Sequence, residues 1–255
     1  MWQPALKTSE WSRADAEFKP GPGENGGNWV KGKDLPDRWP VQYGNLKFWL
    51  MLSGSRQVGV FPEQATHWDW ISDRIRQANR PLRVLNLFGY TALASLAAAG
   101  AGAQVTHVDA SKKVVNWGRE NQSLSALQDK PIRWLVDDAS KFVAREGRRG
   151  SFYDGLILDP PKFGRGPKGE VWEFFKLMPE LLHSCRGLLT PKPLFIVLTA
   201  YAVAASATTL YYSLNDIFSG LGGSLDAGEL VTKERSGGRC ISNALYVRWW
   251  AGLKG

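Results

Sequence analysis

The sequence predicts an α/β fold, a mostly parallel sheet with an antiparallel C-terminal hairpin, preceded by a small β-rich extension. Three observations lead there. From residue 82 onward, short apolar runs alternate with segments of helical spacing, the pattern of a parallel sheet covered on both faces. The stretch Val84-Leu85-Asn86-Leu87-Phe88-Gly89-Tyr90-Thr91-Ala92-Leu93-Ala94-Ser95 reads as a strand that breaks at one glycine and restarts as a helix. The last two apolar runs, 224–232 and 241–250, have no helix between them and so form a hairpin at the sheet edge.

Taken in order, residues 1 to about 40 scatter Trp2, Trp11, Trp29 and Trp39 among Gly, Pro, Asn and charges. The run Pro20-Gly21-Pro22-Gly23-Glu24-Asn25-Gly26-Gly27 reads as an irregular loop, and the tryptophans are expected to pin this segment to the main domain. Val41–Tyr43 and Leu46–Leu52 flank Gly44-Asn45 as a hairpin. A third strand is expected over Gln57–Phe61, stopping at Pro62, and a helix over Glu63–Ala78. The organisation is therefore an extension with a linking helix, 1–79, and a ligand-binding domain, 80–255. Within the latter the alternation gives strands at 82–87, 104–109, 132–136, 153–159 and 194–199. Helices are expected at 91–99, 111–126, 139–147, 170–188 and 206–218.

Composition bounds the function. The chain has 255 residues, a formal net charge of +8 and twelve tryptophans, a balance that favours an acidic partner such as nucleic acid. No run is apolar and long enough to cross a membrane, and the first residues lack a signal pattern, so a cytoplasmic protein is expected. Two cysteines and three scattered histidines outline neither a disulfide framework nor a metal site.

In an open α/β sheet a nucleotide-like ligand settles at the first strand-to-helix turn, where backbone N–H groups are unpaired. Here one glycine stands between Phe88 and Tyr90, whereas a pyrophosphate would want three. The turn therefore suits an adenosine without a pyrophosphate, and S-adenosylmethionine is the common one; the same stretch also reads as an ordinary strand, turn and helix. Asp109 ends a strand twenty residues after Gly89, where a carboxylate accepts both hydroxyls of a ribose, and this suits a nicotinamide dinucleotide equally well. Asp138 either accepts the amino group of an adenine or caps the helix that follows, or does both. The sharpest signal is Leu158-Asp159-Pro160-Pro161-Lys162-Phe163. Two prolines fix an extended edge and leave carbonyls free beside a carboxylate, a rigid acceptor for an amino group or ring nitrogen held in line with a methyl donor. Phe163 could stack on a base, and Lys162, Arg165 and Lys168 could hold phosphates; the same loop also reads as a solvated basic turn.

Together, Asn86-Leu87-Phe88-Gly89-Tyr90-Thr91, Val108-Asp109-Ala110-Ser111, Asp138-Ala139 and Leu158–Phe163 resemble the Rossmann-like class I S-adenosylmethionine-dependent methyltransferases. The resemblance is nearest the branch of bacterial large-subunit ribosomal RNA cytosine-C5 and guanine-N7 enzymes, over about residues 55 to 250. Val58-Gly59-Val60-Phe61-Pro62-Glu63-Gln64 is similar to the segment before the catalytic domain there. The resemblance implies that Asn86, Phe88, Gly89, Tyr90, Thr91, Asp109, Ala110, Ser111, Asp138, Ala139 and Asp159 bind the cofactor. Asp159, Pro160, Pro161, Phe163 and Tyr201 would face the reacting groups, and Lys162, Arg165, Lys168 and Arg239 the substrate.

Two departures matter. Ala92 replaces a second glycine of the turn, and Thr199-Ala200-Tyr201 stands where cytosine-C5 members carry a nucleophilic cysteine. A base nitrogen, whose lone pair needs no covalent help, is thus the expected acceptor, with RNA as partner. A protein or small-molecule methyltransferase, a non-catalytic cofactor-binding RNA adaptor and, more distantly, a nicotinamide oxidoreductase remain alternatives. The oligomeric state, a homodimer included, stays open.

Overall fold

Alternating side chains in the central strands build a sheet buried on both faces. In the computed structural model, which describes residues 6–21, 26–54 and 56–252, that sheet has seven strands. They are β5 (Arg83–Leu87), β6 (Gln104–Asp109), β7 (Ile132–Val136), β8 (Gly155–Leu158), β11 (Phe195–Ala200), β12 (Ser224–Lys233) and β13 (Cys240–Trp250). The helices are α1 (Thr8–Trp11), α2 (Ala65–Ala78), α3 (Leu93–Gly100), α4 (Lys112–Leu124), α5 (Ala139–Arg148), α6 (Phe174–Arg186) and α7 (Ala207–Ile217). Three two-stranded hairpins complete the chain: β1 (Ala16–Pro20) with β2 (Gly27–Lys31), β3 (Arg38–Tyr43) with β4 (Leu46–Met51), and β9 (Phe163–Arg165) with β10 (Val171–Glu173).

The strand order is β12-β13-β11-β8-β5-β6-β7, with β11, β8, β5, β6 and β7 parallel and β13 antiparallel to both its neighbours, β11 and β12. The chain order reverses at β5, which lies between β6 and β8, so a cleft opens at the carboxyl ends of β5 and β8. Leu85, Leu87, Leu156 and Leu158 face Phe142 and Val143 of α5, Leu181 and Leu182 of α6, and Leu210 and Leu214 of α7. Val84, Ile157 and Val197 point the other way, against Ile71 and Ile75 of α2 and Ala98 and Ala99 of α3. This period of two, apolar on both sides, is why the strands read as unbroken apolar runs.

Four sequence expectations need correction. The beginning of the chain is not all irregular: β1 and β2 pair with Phe18 opposite Trp29, their rings 5.3 Å apart, and Trp11 is exposed rather than pinned. Residues 22–25 and Trp2 lie outside the described residues. No strand forms over 57–61; Val58 accepts one hydrogen bond from the Met51 N–H, and Gly59, at φ 105°, breaks the extension where it meets the Trp117 ring. The helix expected from 170 begins at Phe174, because 171–173 turn back as β10 onto β9. The helix expected from 91 begins at Leu93, since Phe88, Tyr90 and Ala92 all take positive φ.

The extension is fastened to the sheet domain. Leu46 and Phe48 share a core with Trp68, Leu93 and Leu96. The Trp49 N–H donates to Asn121 Oδ1 at 2.9 Å, and the Trp117 indole donates to the Trp49 carbonyl at 3.0 Å.

Ala92 is wholly buried at φ 74°. A left-handed conformation costs a non-glycine residue about 1–2 kcal/mol. Its methyl is accommodated because Gly118 on α4 has none: a Cβ there would lie 2.9 Å from Ala92 Cβ and 2.9 Å from Trp134. Gly118→Ala is expected to lower stability by about 1–3 kcal/mol, the usual range for overpacking. In a double-mutant cycle followed by urea denaturation, Ala92→Gly should recover part of that loss. Strict additivity would disprove the contact.

Candidate active site

The site begins with a backbone that no side chain could follow. A Cβ at Gly89 would lie 2.3 Å from the His107 ring, so only glycine lets the turn cross β6 this closely. The Gly89 N–H donates to the Val108 carbonyl at 3.1 Å. Three positive φ angles at Phe88, Tyr90 and Ala92 then coil the turn, and such strain concentrates where a backbone must be presented to a ligand. Beneath it a buried chain of hydrogen bonds fixes His107: Asn86 Nδ2 donates to Ser95 Oγ at 2.8 Å, and Ser95 Oγ lies 2.9 Å from His107 Nδ1. Burial drives the His107 pKa down to about 3, so the imidazole is neutral.

Asp109 ends β6 beside this turn. Its Oδ2 accepts from the Tyr90 N–H at 3.0 Å and its Oδ1 from the Ser111 N–H at 2.9 Å, so the carboxylate is aimed by backbone. Burial raises its pKa, against the pull of those two donors. Each oxygen keeps a lone pair for a ribose hydroxyl. Asp138 caps α5 through the Lys141 N–H at 2.9 Å.

A cavity of about 510 Å³ joins these groups. Phe88, Tyr90, Asp109, Ala110, Ser111, Asp138, Ala139, Asp159, Pro160, Pro161, Arg165 and Tyr201 of the expected residues all border it. Asn86 and Thr91 do not. Asn86 is spent on Ser95, and Thr91 is buried with its hydroxyl on the Gly59 carbonyl at 2.7 Å, so both shape the turn from behind. Gly89 acts through its close approach to His107 rather than through the cavity wall.

The expected substrate groups spread more widely. Phe163 is 55% exposed, and neither it nor Lys162, Lys168 or Arg239 borders the cavity. Arg239 is held by the Glu234 carboxylate at 2.7 and 3.0 Å. The Pro161 carbonyl, expected to be free, accepts from the Trp172 indole at 2.7 Å, and Trp172 packs against Phe88 with ring centres 4.8 Å apart. The β9–β10 hairpin thus closes one side of the cavity.

Glu63 and Gln64 were not singled out by sequence. Gln64 Nε2 donates to Asp159 Oδ2 and to the Tyr201 hydroxyl, 3.2 Å each, and Tyr201 is hydrogen-bonded to Glu63. Phe61 packs on Tyr90 and Tyr201, with ring centres 5.5 and 5.0 Å apart. Their one sequence signal was the segment Val58–Gln64 itself, which brings a buried acid and amide after Pro62. Burial, with Glu63 adding repulsion, pushes the Asp159 pKa up to about 8. Burial first, then Asp159 and Glu63, raise that of Tyr201. Cys185 is buried in α6 and Cys240 is exposed on β13, and neither borders the cavity.

A parallel sheet with a switch-point cleft, a backbone-held acid at the end of β6 and an Asp-Pro-Pro edge, all on one cavity, make the arrangement of a class I methyltransferase. The chain belongs to the S-adenosylmethionine-dependent methyltransferase family, whose model matches residues 14–193. It superposes on a SAM-dependent methyltransferase from Agrobacterium tumefaciens with a TM-score of 0.94 and 46% identity, covering 99% of this chain and 82% of that one. The ribosomal RNA large subunit methyltransferase K/L of Shewanella frigidimarina is 31% identical over 152 residues, which are 59% of this chain and 20% of that protein. The ribosomal RNA large subunit methyltransferase I of an Enterobacter species is 27% identical over 161 residues, 62% of this chain and 36% of that protein. The chain thus spans only a fifth to about a third of the length of these two relatives.

The raised Asp159 pKa has a consequence for stability. The unfolded carboxyl ionises at its ordinary value, so between there and about 8 the unfolded chain binds fewer protons than the folded one, and stability falls as pH rises. Asp159→Asn removes this term. The variant should gain stability over the parent as pH climbs from about 4 to about 8. Urea denaturation at a series of pH values checks this, and a difference that does not vary with pH would contradict a proton-holding carboxyl.

Proposed function

We propose that the protein transfers the methyl group of S-adenosylmethionine to a base nitrogen of RNA, with ribosomal RNA as the leading substrate. The observation that carries this reading is the Asp159-Pro160-Pro161 edge bordering the same cavity as the Phe88–Tyr90 turn, with no cysteine bordering it. The names of the two bacterial relatives support ribosomal RNA, as does the net charge of +8.

When bound, the cofactor supplies an electrophilic methyl group on a sulfonium. Asp109 would hold its ribose hydroxyls and Asp138 its adenine, while Phe88 and Tyr90 would line the methionine part, on a turn that Gly89 sets. Asp159 and the Pro160 carbonyl would orient the acceptor nitrogen, a positioning task that suits a direct lone-pair attack. A carboxyl with a pKa of about 8 exchanges a proton readily near neutral pH, as the shedding of an N–H proton requires. Tyr201, packed at a tilt against Phe61, would present an aromatic wall to a base turned out of its stack. The β9–β10 hairpin borders the cavity through Gly164, Arg165, Gly166 and Trp172, and it carries Phe163 and the cations Lys162 and Lys168 to contact the strand beyond.

Calorimetric titration with S-adenosylhomocysteine should give micromolar binding, weakened at least about tenfold in Asp109→Ala, since hydrogen bonds to a charged group are worth about 1.5–3 kcal/mol. Absence of binding to the parent protein would end the methyltransferase reading. With a ribosomal RNA fragment, the combined Lys162→Ala, Arg165→Ala and Lys168→Ala variant should reduce the slope of log K against log salt by about 2, at about 0.7 per phosphate contact on single strands. An unchanged slope would move the RNA path off this hairpin. Asp159→Ala should keep cofactor and RNA binding and lose turnover; retained turnover would remove Asp159 from the mechanism.

A further inference from the structure

Behind the Phe88–Ala92 turn lies a second, smaller cavity of about 50 Å³, whose walls include Gln64, His67, Asn86, Asp159 and Thr199. Among the described residues, the buried side-chain nitrogen and oxygen atoms with no hydrogen-bond partner in the protein are His67 Nδ1 and Nε2, His107 Nε2 and Asp159 Oδ1. His67 and Asp159 both border this cavity, so three of the four atoms belong to two residues of one wall. His67 is 1% exposed, and its ring lies edge-on to Tyr246 with centres 5.2 Å apart. A neutral imidazole has one N–H donor and one acceptor, and leaving either unmet when buried costs about 1–3 kcal/mol. Apolar side chains such as Ile71, Ile157 and Val197 form much of the wall, so a water held here, which needs two to four polar partners, has to find them among these few groups. Asn86 and Thr199 are further polar residues of the same wall.

We propose that this cavity is a built water site, in which ordered water joins the His67 imidazole to the free oxygen of Asp159. His67 is thereby a positioning residue. Gln64 anchors one carboxyl oxygen of Asp159 directly, and His67 anchors the other through water. The catalytic meaning of that anchoring rests on the reading of Asp159 given above; the water site does not.

The groups that bear on this pair are few. Glu63, Tyr201 and Gln64 face Asp159 from the 62–64 turn and the end of β11, while Asp109 and Tyr90 share its outer cavity. Tyr246 and Arg248 of β13 face His67, and burial together with Arg248 lowers its pKa to about 3. His67 is therefore neutral across the accessible range and does not take up a second ring proton. What it can do is orient a water that donates to ionised Asp159. Hydrogen bonds donated to a carboxylate favour its charged form, so this water tempers the effect of burial.

The test is the titration of the Asp159 carboxyl by carbon NMR of the aspartate-labelled full chain, the resonance being assigned by its loss in Asp159→Asn. His67→Phe removes both polar atoms and fills the space, and should raise the Asp159 midpoint by about one pH unit or more. His67→Gln, which still offers a donor and an acceptor, should leave it near the parent value. A crystal structure of the parent should show solvent density within hydrogen-bond reach of both side chains. An unmoved midpoint in His67→Phe, an equal rise in both variants, or the lack of such density would each overturn the proposal. Failure of the parent to bind S-adenosylhomocysteine would instead strike the catalytic reading and leave this titration standing.

Discussion

The approach of the Gly89 backbone to the His107 imidazole is the constraint on which the rest of the site depends. At that distance neither a methyl at residue 89 nor a charged, solvated imidazole could be tolerated. The ring must therefore be neutral and fixed, which Ser95 and Asn86 achieve from within the core. With the turn pressed down onto β6, the Tyr90 N–H meets the Asp109 carboxylate directly. One close contact thus aligns the first turn with the acid on the neighbouring strand, the two features a nucleoside ligand needs together. The price is positive φ at three residues that are not glycine, and the burial of Ala92 against Gly118 shows how tertiary packing absorbs it.

A second constraint is electrostatic. Glu63 and Asp159 are carboxylates placed near each other in a region that water barely reaches. No ion pair joins a cation to either among the described residues; they meet instead a phenol, an amide and aromatic rings. Such an arrangement opposes the ionisation of Asp159 in the free protein and favours the arrival of positive charge. A sulfonium cofactor brings that charge. Groups that lower stability in the free chain are common where function requires them.

The N-terminal extension belongs to this picture. The segment after β4 carries Gly59, whose carbonyl holds the Thr91 hydroxyl, then Phe61 and the Glu63-Gln64 pair that reach Tyr201 and Asp159. The hairpin β3–β4 secures that segment by packing on α2 and α3 and by hydrogen bonds to Asn121 and Trp117 on α4. The wall on the opposite side is local in sequence. The β9–β10 hairpin follows the two prolines at once, and Trp172 folds back to bond the Pro161 carbonyl.

What the sequence by itself determined was whatever depends on neighbours along the chain. Periodicity places the sheet strands and their helices, a lone glycine marks the turn, and strand-end acids at Asp109, Asp138 and Asp159 mark the cleft. All three acids border one cavity, because parallel strands bring their carboxyl ends to the same side. The β1–β2 and β9–β10 pairs were hidden, since each strand is short and is recognised by its pairing rather than by an apolar run. Only the tertiary structure decided that Asn86 and Thr91 serve the turn from behind, that Gln64 donates to both Asp159 and Tyr201, and that Glu63 bonds Tyr201 beside them. It also decided that Phe163 faces outward. These are contacts between residues as many as 137 positions apart, and what a buried side chain does is set by the atoms that exclude water around it, which no local pattern records.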